Sequence, residues 1–203
     1  MAKVFISYFY LAITTMNYFL DEDNVKTYTD MISDYDNTYI MNELHKFLPI
    51  HSSLLELGMG TGKDLITLAK TYNVVGSDYS PIFIKSFQQI SSIPVLLIDA
   101  ISINIDQTFD CIYSNKVLQH LTPSDMATSL EHQAMHLNSG GILFFTIWKG
   151  AHREELMFED TLRFTYYTED DIKKVLPESL RVETITSYSE FETDDSLLVV
   201  LRK

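Results

Sequence analysis

Leu54-Leu55-Glu56-Leu57-Gly58-Met59-Gly60-Thr61-Gly62 concentrates three of the chain's seven glycines within five residues, directly after an apolar run. A strand that enters such a turn and then a helix builds a ligand pocket. Gly58 and Gly60 let the backbone turn sharply and approach a ligand that a Cβ would hold off, and Gly62 opens a helix whose exposed N–H groups favour an anion. Two familiar readings fail on spacing. The dinucleotide-binding turn needs its third glycine or alanine where this chain has Lys63. The phosphate-cradling loop needs four residues before its Gly-Lys pair; here three separate Gly58 from Gly62, and Asp64 replaces the magnesium-binding hydroxyl.

Further along, Val74-Val75-Gly76-Ser77-Asp78 reads as a second strand whose terminal acid can reach ribose hydroxyls. Pro94 to Ala100 reads as a third strand ending in Asp99, and Phe109 to Ser114 as a fourth, followed by Asn115-Lys116-Val117-Leu118-Gln119-His120-Leu121. Glu-x-Gly-x-Gly-x-Gly after a strand, with these acids behind it, resembles class I S-adenosylmethionine-dependent methyltransferases. The string Leu-Glu-Leu-Gly-Met-Gly-Thr-Gly-Lys-Asp resembles a subgroup of small single-domain members. The likeness runs from about residue 25 to the end.

That resemblance implies S-adenosylmethionine as cofactor. Glu56 would anchor the turn or receive the amino-acid tail's ammonium through water, and Gly58, Met59, Gly60, Thr61 and Gly62 would form the turn around the methionine portion. Asp78 would hold the ribose diol, Tyr79 would stack on adenine, Asp99 and Ala100 would bound its edge, and Ser114 and Asn115 would close the floor beneath the sulfur. The alternative for Asp78 and Asp99 is that of acids in strand-end turns, and the glycine turn favours the ligand.

The rest of the chain alternates short apolar runs with amphipathic stretches, the pattern of a doubly wound α/β fold. The expectation is a seven-stranded, mostly parallel sheet. A helix over Tyr28 to Phe47 precedes it; Lys63 to Tyr72, Pro81 to Ile90 and Pro123 to Leu137 are crossover helices, and Ile142 to Trp148 is the fifth strand. Thr168 starts a capped, acid-rich helix, and Ser179 to Phe191 with Ser196 to Arg202 close the sheet as an antiparallel hairpin. At 203 residues the length favours one domain over 1–203, able to bury roughly 70% of its unfolded surface. Residues 1–24 read as a lid or an extension: Val4 to Leu20 is largely apolar, yet Tyr8, Tyr10, Thr14, Thr15 and Asn17 interrupt it too often for a membrane span.

Lys plus Arg total 15 against 28 Asp plus Glu, a formal net charge of −13 that repels phosphate backbones and anionic lipids. Nucleic acid is therefore disfavoured, no membrane partner is expected, and a small-molecule acceptor is. The lone Cys111 reads as a small buried hydrophobe and fits a reducing cytoplasm. His132 and His136 share a helix face, but Gln133 stands where a zinc protease has glutamate, so no metal is expected and the pair reads as a solvated face. Oligomeric state is left open.

Methyl transfer needs a base only when the nucleophile arrives protonated, and His120 is the candidate because it follows the fourth strand. It reads equally as a structural residue capping a short helix. The Asn/Asp-Pro-Pro-Tyr/Phe motif of nucleobase- and glutamine-methylating relatives is absent at Ser114-Asn115-Lys116-Val117. Lys149 to Tyr167 is the expected acceptor wall, with His152, Arg163 and Tyr166 as candidate contacts; Tyr28 and Tyr35 are the fallback. A cofactor-binding protein acting through a partner is the competing reading.

Overall fold

The computed structural model describes residues 18–203. The proposed lid or extension thus lies outside the described residues as far as residue 17. A turn of 3₁₀ helix, Tyr18–Leu20, leads into α1, Glu22–Met31, and α2, Thr38–Leu44. The core alternates β1 Ser53–Leu57, α3 Lys63–Leu68, β2 Asn73–Asp78, α4 Pro81–Gln88, β3 Val95–Leu97 and β4 Phe109–Asn115. It continues with α5 Pro123–Met135, β5 Leu137–Trp148, a hairpin of β6 Arg153–Met157 and β7 Leu162–Tyr166, then α6 Glu169–Val175, β8 Arg181–Tyr188 and β9 Ser196–Arg202.

The main sheet has the order β3-β2-β1-β4-β5-β9-β8. Strands β1 to β5 are parallel, and β9 runs antiparallel between β5 and β8. The chain starts at β1, steps outward to β3, then returns to β4 on the other side. The adjacent carboxyl ends of β1 and β4 are the point where open α/β sheets bind ligands.

Both faces of the sheet are covered, and strand alternation divides the core in two. Leu55, Leu57, Ile112, Leu143, Phe145, Val199 and Leu201 pack toward Met126, Leu130 and Ala134 of α5 and Ile172 of α6. Leu54, Cys111, Tyr113, Phe144 and Val200 pack toward Ile40, Met41 and Leu44 of α2. Cys111 is fully buried, and burial pushes its thiol well above the usual range. Ser80 caps α4 and Thr168 caps α6 in a capping box.

Two expectations need correction. The single helix over 28–47 is two helices, because Ser33 to Asn37 is a run of groups that compete with helical backbone bonds. Asp36 Oδ1 accepts the Thr38 N–H, and Lys63 Nζ donates to the carbonyls of Ser33 and Tyr35, fixing the break. His132 and His136 do not form a solvated face: the His136 ring nitrogens lie 3.2 Å from the Gln107 carbonyl and 3.1 Å from that of Ile103, and His132 Nδ1 is buried.

Candidate functional site

One cleft with two chambers opens at the carboxyl ends of β1, β2 and β4. The chambers hold about 710 and 960 Å³ of empty space, open mouth included. Gly58, Gly60, Asn115, Lys116 and His120 border both, roofed by Phe19 and Tyr28. Asp78, Tyr79, Phe83, Asp99 and Ala100 complete the first chamber. The second adds Glu56, Met59, Thr61 and Asp64 from the β1 turn, and Gln119, Trp148, Phe158, Phe164, Glu190 and Phe191 from the β4–β9 half of the sheet.

The three glycines of the turn have different reasons. All take positive φ, between +51° and +77°. A Cβ on Gly60 would meet only Tyr28, at 3.8 Å, so this position leaves open space in the cleft. A Cβ on Gly58 would strike Val117 at 2.5 Å, and one on Gly62 would strike Phe87 at 2.2 Å. Gly62 borders neither chamber; it lets α4 close on the turn.

Asp78 holds the turn in shape. Its Oδ2 accepts the Gly60 N–H at 2.9 Å and its Oδ1 the Ser80 N–H at 2.8 Å, leaving spare lone pairs on both oxygens in the first chamber. Burial pushes its carboxyl up, and the N–H groups of Ser80, Gly60 and Tyr79 pull it back. Glu56 is 3% exposed, and among the described residues no donor reaches its Oε2. Burial, with Asp64 and Asp78 nearby, raises its carboxyl well above the carboxylate range. Asp64 is instead fully engaged, accepting from Asn37 Nδ2 at 2.7 Å, Tyr113 OH at 2.6 Å and Asn115 Nδ2 at 3.0 Å.

His120 ends a 3₁₀ turn, Leu118–His120, with Nδ1 2.7 Å from the Arg163 carbonyl. A carbonyl only accepts, so Nδ1 carries the hydrogen and Nε2 presents a lone pair. Burial depresses this imidazole to about 4, so it is neutral near neutral pH.

Ser114 borders neither chamber; its hydroxyl is buried without a partner among the described residues, and Asn115 alone of that pair borders the cleft. The expected acceptor wall is the β6–β7 hairpin, but its inward residues are Leu162 and Phe164, with Phe158 at the tip. His152, Arg163 and Tyr166 stay outside. Arg163 pairs with Glu154, the Tyr166 ring lies 3.5 Å under the Arg153 guanidinium, and His152 is exposed.

Sequence reasoning placed Lys116 and Gln119 only within the Asn115 to Leu121 segment after the fourth strand, and missed Phe19, Asp64, Glu190 and Phe191. Lys116 was visible as the residue directly after the β4 acceptor-side Asn115, and Glu190-Phe191 as a charged and aromatic pair in the turn between two closing strands. Nothing local in the sequence joins them. Among the described residues, no cluster of His, Cys, Asp and Glu could hold a metal ion.

Residues 54–141 match the family model described as a methyltransferase domain. No curated protein matches the chain by sequence. Among solved structures, 1,6-didemethyltoxoflavin-N1-methyltransferase of Burkholderia thailandensis, with 1,6-didemethyltoxoflavin and S-adenosylhomocysteine bound, has a TM-score of 0.74 at 16% identity; the match covers 89% of this chain and 84% of that one. The N-methyltransferase NodS of Bradyrhizobium japonicum WM9, in complex with S-adenosyl-L-homocysteine, scores 0.66 at 20% identity, covering 92% and 95%. An S-adenosylmethionine-dependent methyltransferase of Clostridium acetobutylicum ATCC 824 scores 0.68 at 17%, covering 87% and 96%. The likeness at these identities is one of fold.

Proposed function

We propose, from a chain whose residues 54–141 match the family model described as a methyltransferase domain, that this protein is an S-adenosylmethionine-dependent methyltransferase of a small molecule. One observation carries the reading: a glycine turn without room for a dinucleotide fingerprint borders the same cleft as Asp78 and a buried Glu56 whose Oε2 has no partner among the described residues. A ligand with positive charge and no phosphate satisfies that arrangement. S-adenosylmethionine, when bound, supplies a methyl group on a cationic sulfur.

Glu56 would take the tail ammonium, directly or through water, and Gly60 would admit the methionine backbone. Asp78 would offer its spare lone pairs to the ribose hydroxyls, with Tyr79, Asp99 and Ala100 around the adenine. The leaving thioether is neutral, so the protein's contribution is alignment and exclusion of water more than charge stabilisation. Phe19, Tyr28, Phe158 and Phe164 supply that apolar enclosure. His120 would accept a proton from the acceptor through Nε2. The net charge and the buried Cys111 support a cytoplasmic setting, and among the described residues no helix is long and apolar enough to cross a membrane.

The reading is tested by incubating the protein with donor deuterated at the methyl group and a metabolite extract, then finding by mass spectrometry which compound gains the labelled methyl. One such compound is expected. Donor binding with no labelled product would favour the cofactor-binding protein that acts through a partner.

A further inference from the structure

The acceptor side of the second chamber holds a desolvated ion pair that the donor chemistry does not use. Lys116 Nζ lies 2.9 Å from Glu190 Oε2, with both side chains at most 13% exposed. Nζ also donates to Ser196 Oγ at 2.6 Å and sits 3.4 Å from the Trp148 ring centroid. Glu190 Oε2 further accepts from Tyr188 OH at 3.0 Å and Ser196 Oγ at 3.3 Å. Among the described residues, no donor reaches its other oxygen, Oε1, which is not sealed from the chamber that Glu190 borders. The loop is rigidly presented: Asp195 accepts the N–H groups of Glu190, Phe191 and Glu192, each at 2.9 Å. Phe191 stands 76% exposed at the mouth, its ring centroid 5.8 Å from that of Trp148.

We infer that Glu190 Oε1 recognises the methyl acceptor by accepting an N–H bond, and that the acceptor is a planar molecule with a neutral N–H group, a heteroaromatic ring N–H or an arylamine, held against Trp148 and Phe191. This rests on the methyltransferase reading and names its substrate class. Glu190 Oε1 and His120 Nε2 are acceptors with spare capacity on this side, so a ligand that brings an N–H satisfies the carboxylate. A phenol brings one too, but it must lose its proton before attack, and an imidazole held near 4 is too weak for that. An alkylamine beside a carboxylate stays protonated and cannot attack. A neutral nitrogen attacks first, the amine nitrogen of an arylamine or the imine-type ring nitrogen conjugated to the N–H: its lone pair forms the bond to carbon, the sulfur keeps the pair of the bond that breaks, and the N–H proton, now acidic, passes to a weak base, Glu190 or His120, and then to water.

Trp148 is the chain's single tryptophan, so its fluorescence reads this site directly. With the protein saturated with S-adenosylhomocysteine, benzimidazole is expected to quench it saturably, and 1-methylbenzimidazole to bind at least about tenfold more weakly, the scale of a hydrogen bond to a charged group. Glu190→Gln should erase the preference over 1-methylbenzimidazole and leave S-adenosylhomocysteine affinity, measured by calorimetry, within twofold. Phe191→Ala, at an exposed position that cannot cost the fold, should weaken benzimidazole severalfold. Absence of benzimidazole binding, equal binding of its methylated form, or a preference unchanged in Glu190→Gln overturns the inference. Failure of S-adenosylhomocysteine itself to bind would instead strike the methyltransferase reading.

Discussion

Glu56 makes a prediction that no neutral residue at its position could share. Burial beside Asp64 and Asp78 raises its carboxyl, so at mildly acidic pH the empty cleft holds it protonated. An ammonium arriving at the Glu56 carboxyl favours the ionised form, so donor binding should release a proton and tighten as pH rises. Calorimetry in buffers of differing ionisation enthalpy should detect the release, and Glu56→Gln should abolish it; proton uptake would contradict the assignment. His120 works in the opposite protonation sense. Its folded value near 4 lies below the unfolded 6.5, so between these values the unfolded chain binds the extra proton. Stability should fall by up to about 3 kcal/mol as pH drops through this window. Denaturant titrations at pH 7 and pH 4.5 should show that loss reduced in His120→Gln. With an acceptor in hand, the same variant should lose about 10²–10⁴-fold in rate if Nε2 is the base.

The glycine turn between β1 and α3 separates packing from binding in a way that paired variants can measure. Gly62→Ala puts a Cβ 2.2 Å from Phe87 at φ +77°, so it should cost about 2–4 kcal/mol of stability. Gly60→Ala meets nothing closer than 3.8 Å, so it should weaken donor binding while costing about 1–2 kcal/mol from backbone conformation alone. A larger loss of stability in Gly60→Ala than in Gly62→Ala would reverse these roles. The turn was legible in sequence because the strand, the glycines and the helix are contiguous. So were the parallel strands, where apolar runs are buried on both faces. The break between α1 and α2 was not, because it depends on Lys63 reaching back to the Ser33 and Tyr35 carbonyls. The β6–β7 hairpin was located as a segment but not as a strand pair, so which of its side chains reach the cleft, Leu162 and Phe164 and not Arg163, could not be read.

Across the molecule, the two halves of the cleft differ in how far the chain alone describes them. The donor half is built at successive strand ends close together in sequence, Glu56, Asp78 and Asp99. The acceptor half gathers Lys116, Trp148, Phe164 and Glu190 from the ends of β4 and β5, a hairpin and a closing loop, and only the antiparallel insertion of β9 between β5 and β8 brings Glu190 to Lys116. Period and spacing carry no trace of such a meeting. The central claim concerns the donor half, and a calorimetric titration of the purified protein with S-adenosylhomocysteine and, separately, with NAD tests it most directly. The account predicts saturable one-to-one binding of the sulfur compound and no comparable heat from NAD; saturable NAD binding without response to S-adenosylhomocysteine would contradict it.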